Sequence, residues 1–128
     1  MKTYEEIKPR VIIYVTDLDL CSLALKALTE GLEEEGVPFE VKVNVGEVEK
    51  LAVEAARESR LGVGIGIDTD GSCVLQHQRL SPSRPIARIL PGMGSKEEYR
   101  LIGSHAARLV KNLPLKEVDR GSASFRTY

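Results

Sequence analysis

At 128 residues, 42% of them apolar and 29% charged, the chain is long enough to form one globular domain with its own core. A formal net charge of −1 and the absence of any Lys/Arg-rich block argue against nucleic-acid binding. No stretch approaches the ~20 apolar residues of a membrane span, and the start Met1-Lys2-Thr3-Tyr4-Glu5-Glu6 lacks the apolar run of a signal peptide.

Residues 1–9 are polar and end at Pro9, which marks them as an N-terminal arm. Val11-Ile12-Ile13-Tyr14-Val15 is a β-branched and aromatic run too short for a helix, hence a buried strand. Asp17 and Asp19 follow. Asp19 is placed to cap the next helix, although paired aspartates after a first strand also suit a magnesium ion.

The stretch 24–39 reads as an amphipathic helix that stops at Gly36 and passes through Pro38 into a strand. Leu20, Ala24, Leu28 and Leu32 form its core stripe, with Cys21 and Leu25 beside it. Each leucine buried there is worth roughly 1.5–3 kcal/mol. Next to that stripe runs a second seam, Leu23, Ala27, Glu30 and Glu34, spaced i, i+4, i+7, i+11. It is either a surface that meets another protein or a plain helix shoulder with solvated glutamates.

The alternation in residues 39–45 marks a half-exposed edge strand. A second helix over 47–59 turns Val48, Leu51, Ala52, Ala55 and Ala56 inward. Then Leu61-Gly62-Val63-Gly64-Ile65-Gly66-Ile67 puts its bulky side chains on one strand face and three glycines on the other. Glycine weakens a strand unless something must come close, so that face packs a neighbouring helix, a flat ligand or a partner. Thr69-Asp70-Gly71 turns the chain into an antiparallel return strand over 72–77, and a fifth strand occupies 85–90. Ser95 with Glu98 forms a capping box for a last helix reaching about Asn112. Its Tyr99, Ile102, Gly103, Ala106 and Val110 share one face, and Leu101 and His105 stand on the other, open to a partner. Residues 118–128 read as a disordered tail.

This order gives a three-layer α/β/α single domain over 10–117, with a five-stranded, mostly parallel sheet whose fourth strand is antiparallel. Cys21 and Cys73 sit in apolar patterns and read as reduced thiols of a cytoplasmic protein. His77 and His105 lie on separate elements without metal-site spacing, and neither a nucleophile elbow nor a phosphate loop occurs. The chain reads as a binding subunit, not an enzyme.

Three segments occur in order: Gly31-Leu32-Glu33-Glu34-Glu35-Gly36-Val37-Pro38-Phe39, Leu61-Gly62-Val63-Gly64-Ile65-Gly66, and Ile102-Gly103-Ser104-His105-Ala106-Ala107-Arg108-Leu109-Val110-Lys111-Asn112-Leu113-Pro114-Leu115. Together they resemble the small subunit of diol/glycerol dehydratase reactivating factors. The resemblance implies a chaperone-like role without catalysis, beside a large actin/Hsp70-like ATPase subunit that carries ATP or ADP. The pair would free an inactivated dehydratase of damaged cobalamin by exchanging look-alike subunits, in the cytoplasm, inside or outside a bacterial microcompartment. No cofactor would belong to this chain. Glu34 matches the family glutamate that reaches a Mg2+ ion held mainly by the large subunit, and Leu23, Ala27 and Glu30 would line the same interface. The medium subunit of the cobalamin-dependent dehydratase shares the glycine strand and the Ile-Gly-x-x-Ala-Ala-Arg helix, and is the alternative. A free-standing small-molecule-binding domain using the glycine face is a third.

Overall fold

The computed structural model describes residues 9–112 and the backbone of 123–125. In chain order the elements are β1 (Val11–Val15), α1 (Ser22–Glu34), β2 (Phe39–Val43), α2 (Val48–Glu58), β3 (Val63–Ile67), β4 (Cys73–His77), β5 (Ala87–Ile89), α3 (Lys96–Val110) and β6 (Ala123–Phe125). The sheet order is β2-β1-β3-β4-β5-β6. β1 pairs in parallel with β2 and β3, and the β3–β4, β4–β5 and β5–β6 pairs are antiparallel. Of the five expected strands, β1, β2, β3 and β5 therefore run one way and β4 runs against them. β6 is a sixth strand inside the segment read as tail. The rest of that tail and residues 1–8 of the arm lie outside the described residues.

The two sheet faces are packed differently, and the alternation of side chains explains why. Val11, Ile13 and Val15 of β1, Val63, Ile65 and Ile67 of β3, and Cys73 and Leu75 of β4 join one buried cluster with Leu28, Leu32 of α1 and Ile102, Ala106 of α3. On the opposite face β3 offers only Gly64 and Gly66. There α2 sinks onto the sheet through all five expected inward residues, Val48, Leu51, Ala52, Ala55 and Ala56. A Cβ on Gly64 would fall on the Ala56 backbone nitrogen and 2.7 Å from the Ala52 carbonyl oxygen; one on Gly66 would lie 2.6 Å from the Val48 carbonyl oxygen. The glycines are required by this close helix, so α2 fills the face and leaves no room there for a small molecule.

α1 and α3 cross on the other face by the same device. A Cβ on Gly31 would lie 2.8 Å from the Ser104 nitrogen, and one on Gly103 would fall on the Leu28 carbonyl oxygen. The capping box of α3 is present, with Ser95 Oγ accepting from the Glu98 N–H at 3.2 Å and Glu98 Oε1 accepting from the Ser95 N–H at 3.1 Å. Gly36 ends α1 with φ +71°, a conformation that favours glycine.

Several sequence expectations fail in this packing. Leu20 is not core: it is 71% exposed, because α1 begins only at Ser22 and Leu20 sits in the preceding turn. Asp19 caps nothing with its side chain; Cys21 is the N-cap, and Asp17 Oδ1 instead accepts from the Leu20 N–H at 2.9 Å. His105 is fully buried, since α3 is enclosed by α1 on one side and the sheet on the other. The two cysteines are free and buried, as expected.

Candidate functional site

α1 begins beyond the carboxyl end of β1 and runs back to the amino-terminal end of the sheet, where it delivers Glu34 and Glu35. α3 runs beside it and presents Arg100, Ser104, Arg108 and Lys111, spaced i, i+4, i+8, i+11, which is one helical stripe. The two stripes meet. Glu34 Oε1 accepts from Arg100 Nε at 2.6 Å and also from the same guanidinium's terminal nitrogen, both side chains being about half exposed at 49%. That carboxylate holds the Arg100 guanidinium charged to above its ordinary range. Glu35 takes the lower partners: its Oε2 accepts from Ser104 Oγ at 3.2 Å and lies 3.8 Å from Arg108, and Lys111 sits 3.7 Å from its Oε1.

The four residues expected to form an interface separate into three kinds. Leu23 is 86% exposed and available. Glu30 is half-buried and Glu34 exposed, on the same flank of the helix. Ala27 is corrected: at 2% exposure it belongs to the chain's own core, because the α1–α3 crossing covers that turn of the seam. A partner would therefore meet α1 at its two ends, not along an unbroken ridge. Arg100 was not anticipated from the sequence. The signal was available in the i, i+4, i+8, i+11 polar stripe of α3, but only the crossing angle tells which acidic helix it faces.

Among the described residues no group of three or more His, Cys, Asp or Glu is arranged to hold a metal ion. Asp17 serves the turn before α1, its Oδ1 accepting from the Leu20 N–H, while Asp19 contributes its backbone carbonyl to the Ser22 N–H. Glu34 fits a divalent cation as one hard oxygen ligand offered from an exposed helix end, with its two internal contacts falling on Oε1 alone. What the arrangement can do chemically is donate one carboxylate to a site that another protein completes. No described helix is long and apolar enough to cross a membrane.

Comparison with known proteins gives a consistent answer. The family model described as dehydratase medium subunit matches residues 8–116. The diol dehydratase-reactivating factor small subunit of Klebsiella michiganensis is 34% identical over 108 residues, covering 84% of this chain and 85% of the relative. The propanediol dehydratase-reactivating factor small subunit of Salmonella typhimurium is 34% identical over 107 residues, covering 83% and 90%. Among solved structures, a glycerol dehydratase reactivase chain superposes with a TM-score of 0.78 at 35% identity, over 85% of this chain and 97% of that one. A chain from a diol dehydratase-reactivating factor complexed with ADP and Mg2+ superposes with a TM-score of 0.76, also at 35% identity, over 85% and 98%. The chain belongs to the dehydratase medium-subunit family and, within it, groups with the small subunits of dehydratase-reactivating factors.

Proposed function

We propose that the chain is the non-catalytic small subunit of an ATP-dependent, chaperone-like diol/glycerol dehydratase reactivase. In this reading it assembles in the cytoplasm with a large ATPase subunit that holds ATP or ADP. The assembly helps an inactivated dehydratase shed damaged cobalamin by subunit exchange. Relatives at 34% identity that carry the small-subunit name support it, as does a similar structure whose complex contains ADP and Mg2+.

The observation that carries the assignment of a role to this chain's own residues is Glu34. Its carboxylate stands half exposed at the end of α1, in the matched Gly-Leu-Glu-Glu-Glu-Gly segment, with Arg100 on one oxygen. A Mg2+ ion shared with the large subunit would gain a negative oxygen ligand there; this chain's part is to orient that ligand. Arg100 does the orienting, and its positive charge also competes with the cation for the carboxylate.

The test mixes the purified chain with the purified large subunit and follows complex formation calorimetrically while Mg2+ is titrated. Tighter assembly with Mg2+, together with no ATP turnover by the chain alone, is expected. ATP hydrolysis by the isolated chain, or no complex at any Mg2+ concentration, would overturn the assignment. The dehydratase's own medium subunit is the second reading, favoured by the description of the matching family model. Stable retention of cobalamin by the chain together with a dehydratase large subunit would select it.

A further inference from the structure

The strand directions sort the exposed surface into two unlike ends. Leu18, Leu20 and Leu23 follow the carboxyl end of β1, at 51%, 71% and 86% exposure. Val43 and Val45 close β2, and Leu90 and Met93 follow β5; all four are also more than half exposed. Because β1, β2 and β5 point the same way, every large apolar side chain exposed among the described residues lies at one end of the sheet. Scattered apolar residues on a surface need no explanation, but concentration on one rim does.

The charge of that rim is equally one-sided. Its loops, 16–21, 43–47, 68–72 and 90–95, contain the carboxylates Asp17, Asp19, Glu47, Asp68 and Asp70 and not one Lys or Arg. Lys96 and Lys50 follow in the first turns of α3 and α2, each beside acidic neighbours (Glu97 and Glu98; Glu49), and Arg88 of β5 stands at the wall of a shallow pocket of about 230 Å³ that Asp68, Asp70 and Glu47 also line. At the opposite end, loops 35–38, 59–62, 78–86 and 111–112 hold Arg60, Arg79, Arg84 and Lys111 against the single carboxylate of Glu35. A net charge near zero hides this polarity.

We infer that the large partner subunit proposed above extends past Glu34 along α1 and covers this rim with a surface of apolar side chains set among lysines and arginines. The inference rests on the hetero-oligomer reading and goes beyond it, by naming a second contact region and its chemistry. Three observations choose this occupant. Leu23 and Glu34 lie on the same seam of α1, whose thirteen residues span about 20 Å. An interface of ordinary size, about 800 Å² per partner, is about 30 Å across and reaches both. A second copy of this chain is disfavoured, since a symmetric pairing would set five carboxylates of each rim against five of the other.

The test uses the full chain and the purified large subunit at saturating Mg2+. Leu20→Asp and Val45→Asp alter side chains that are 71% and 87% exposed, so folding is retained and circular dichroism checks it. Each is expected to weaken assembly at least about tenfold. The double variant Asp19→Lys/Glu47→Lys should weaken it too and flatten its salt dependence. Hydrogen exchange should show the loops at 16–21 and 43–47 protected only in the complex. Wild-type affinity in the folded apolar variants, or protection of those loops already in the free monomer, would overturn the inference while leaving the assignment of the subunit intact. A stable dimer of the free chain that Leu20→Asp dissolves would overturn it in favour of a second copy. If the wild-type chain fails to bind the large subunit at all, the assignment and the inference fall together.

Discussion

Glu34 at the end of α1 and Arg100 one turn into α3 are joined through a single carboxylate oxygen, although 66 residues separate them in the chain. Both are half exposed, so water and salt screen the pair and it adds little to folding. Its consequence is for binding. Glu34→Gln is expected to leave the unfolding midpoint unchanged within error and to remove the Mg2+ dependence of assembly. Arg100→Gln frees the carboxylate from a competing cation and should lower the Mg2+ concentration needed for half-maximal assembly. A higher requirement in Arg100→Gln would show that the arginine's orienting effect outweighs its competition.

Gly64→Ala tests the close approach of α2. The added carbon meets main-chain atoms of Ala52, Ala55 and Ala56, which cannot move without shifting the helix. A loss of about 3 kcal/mol or more in urea unfolding, or an insoluble product, is expected. Gly92→Ala is the control: a methyl group there would meet nothing within 4 Å, so only the positive φ of +71° penalises alanine, by about 1–2 kcal/mol.

The capping box of α3 predicts a smaller effect. Ser95→Ala removes the acceptor for the Glu98 N–H and should cost about 1 kcal/mol. Ser95→Asp supplies another acceptor beside the positive helix end and should restore most of that loss.

Alkaline stability follows from Tyr14. Burial, then the hydrogen bond to Glu58 and that residue's charge, push its phenol from 10.0 up to about 12. A raised acid binds its proton more tightly when folded, so its contribution is complete below pH 10 and disappears as pH rises through about 12. Burial also raises the Cys73 thiol and the Tyr99 phenol, which act in the same direction. Wild-type stability, measured by denaturant unfolding, should fall as the solution is made alkaline. In Tyr14→Phe the part of the fall between pH 10 and 12 should be smaller; an unchanged fall would mean that the other groups carry it.

Much of the architecture was legible because its causes are local. Five strands, three helices, the reversed fourth strand and the Ser95–Glu98 cap follow from side-chain period, turn residues and spacing, each acting over a few residues. The inward face of α2 was readable for the same reason, since Val48, Leu51, Ala52, Ala55 and Ala56 need only the helical repeat. The misplaced residues are those whose surroundings come from distant chain. Leu20 fits a helical stripe but lies in a turn, Ala27 and His105 look open until a second helix closes over them, and Ala123–Phe125 becomes a strand only because β5 offers it an edge.

By itself the sequence determined the α/β architecture, the glycine strand and the segment that carries Glu34, because composition and period specify element type wherever the chain places them. Only the tertiary structure decided that α2 fills the glycine face, that Arg100 holds Glu34, and that the exposed apolar residues gather at one acidic end of the sheet. Those outcomes depend on which elements pack together and which way each strand points. Both are set by contacts between residues far apart in the chain, and no local pattern contains them.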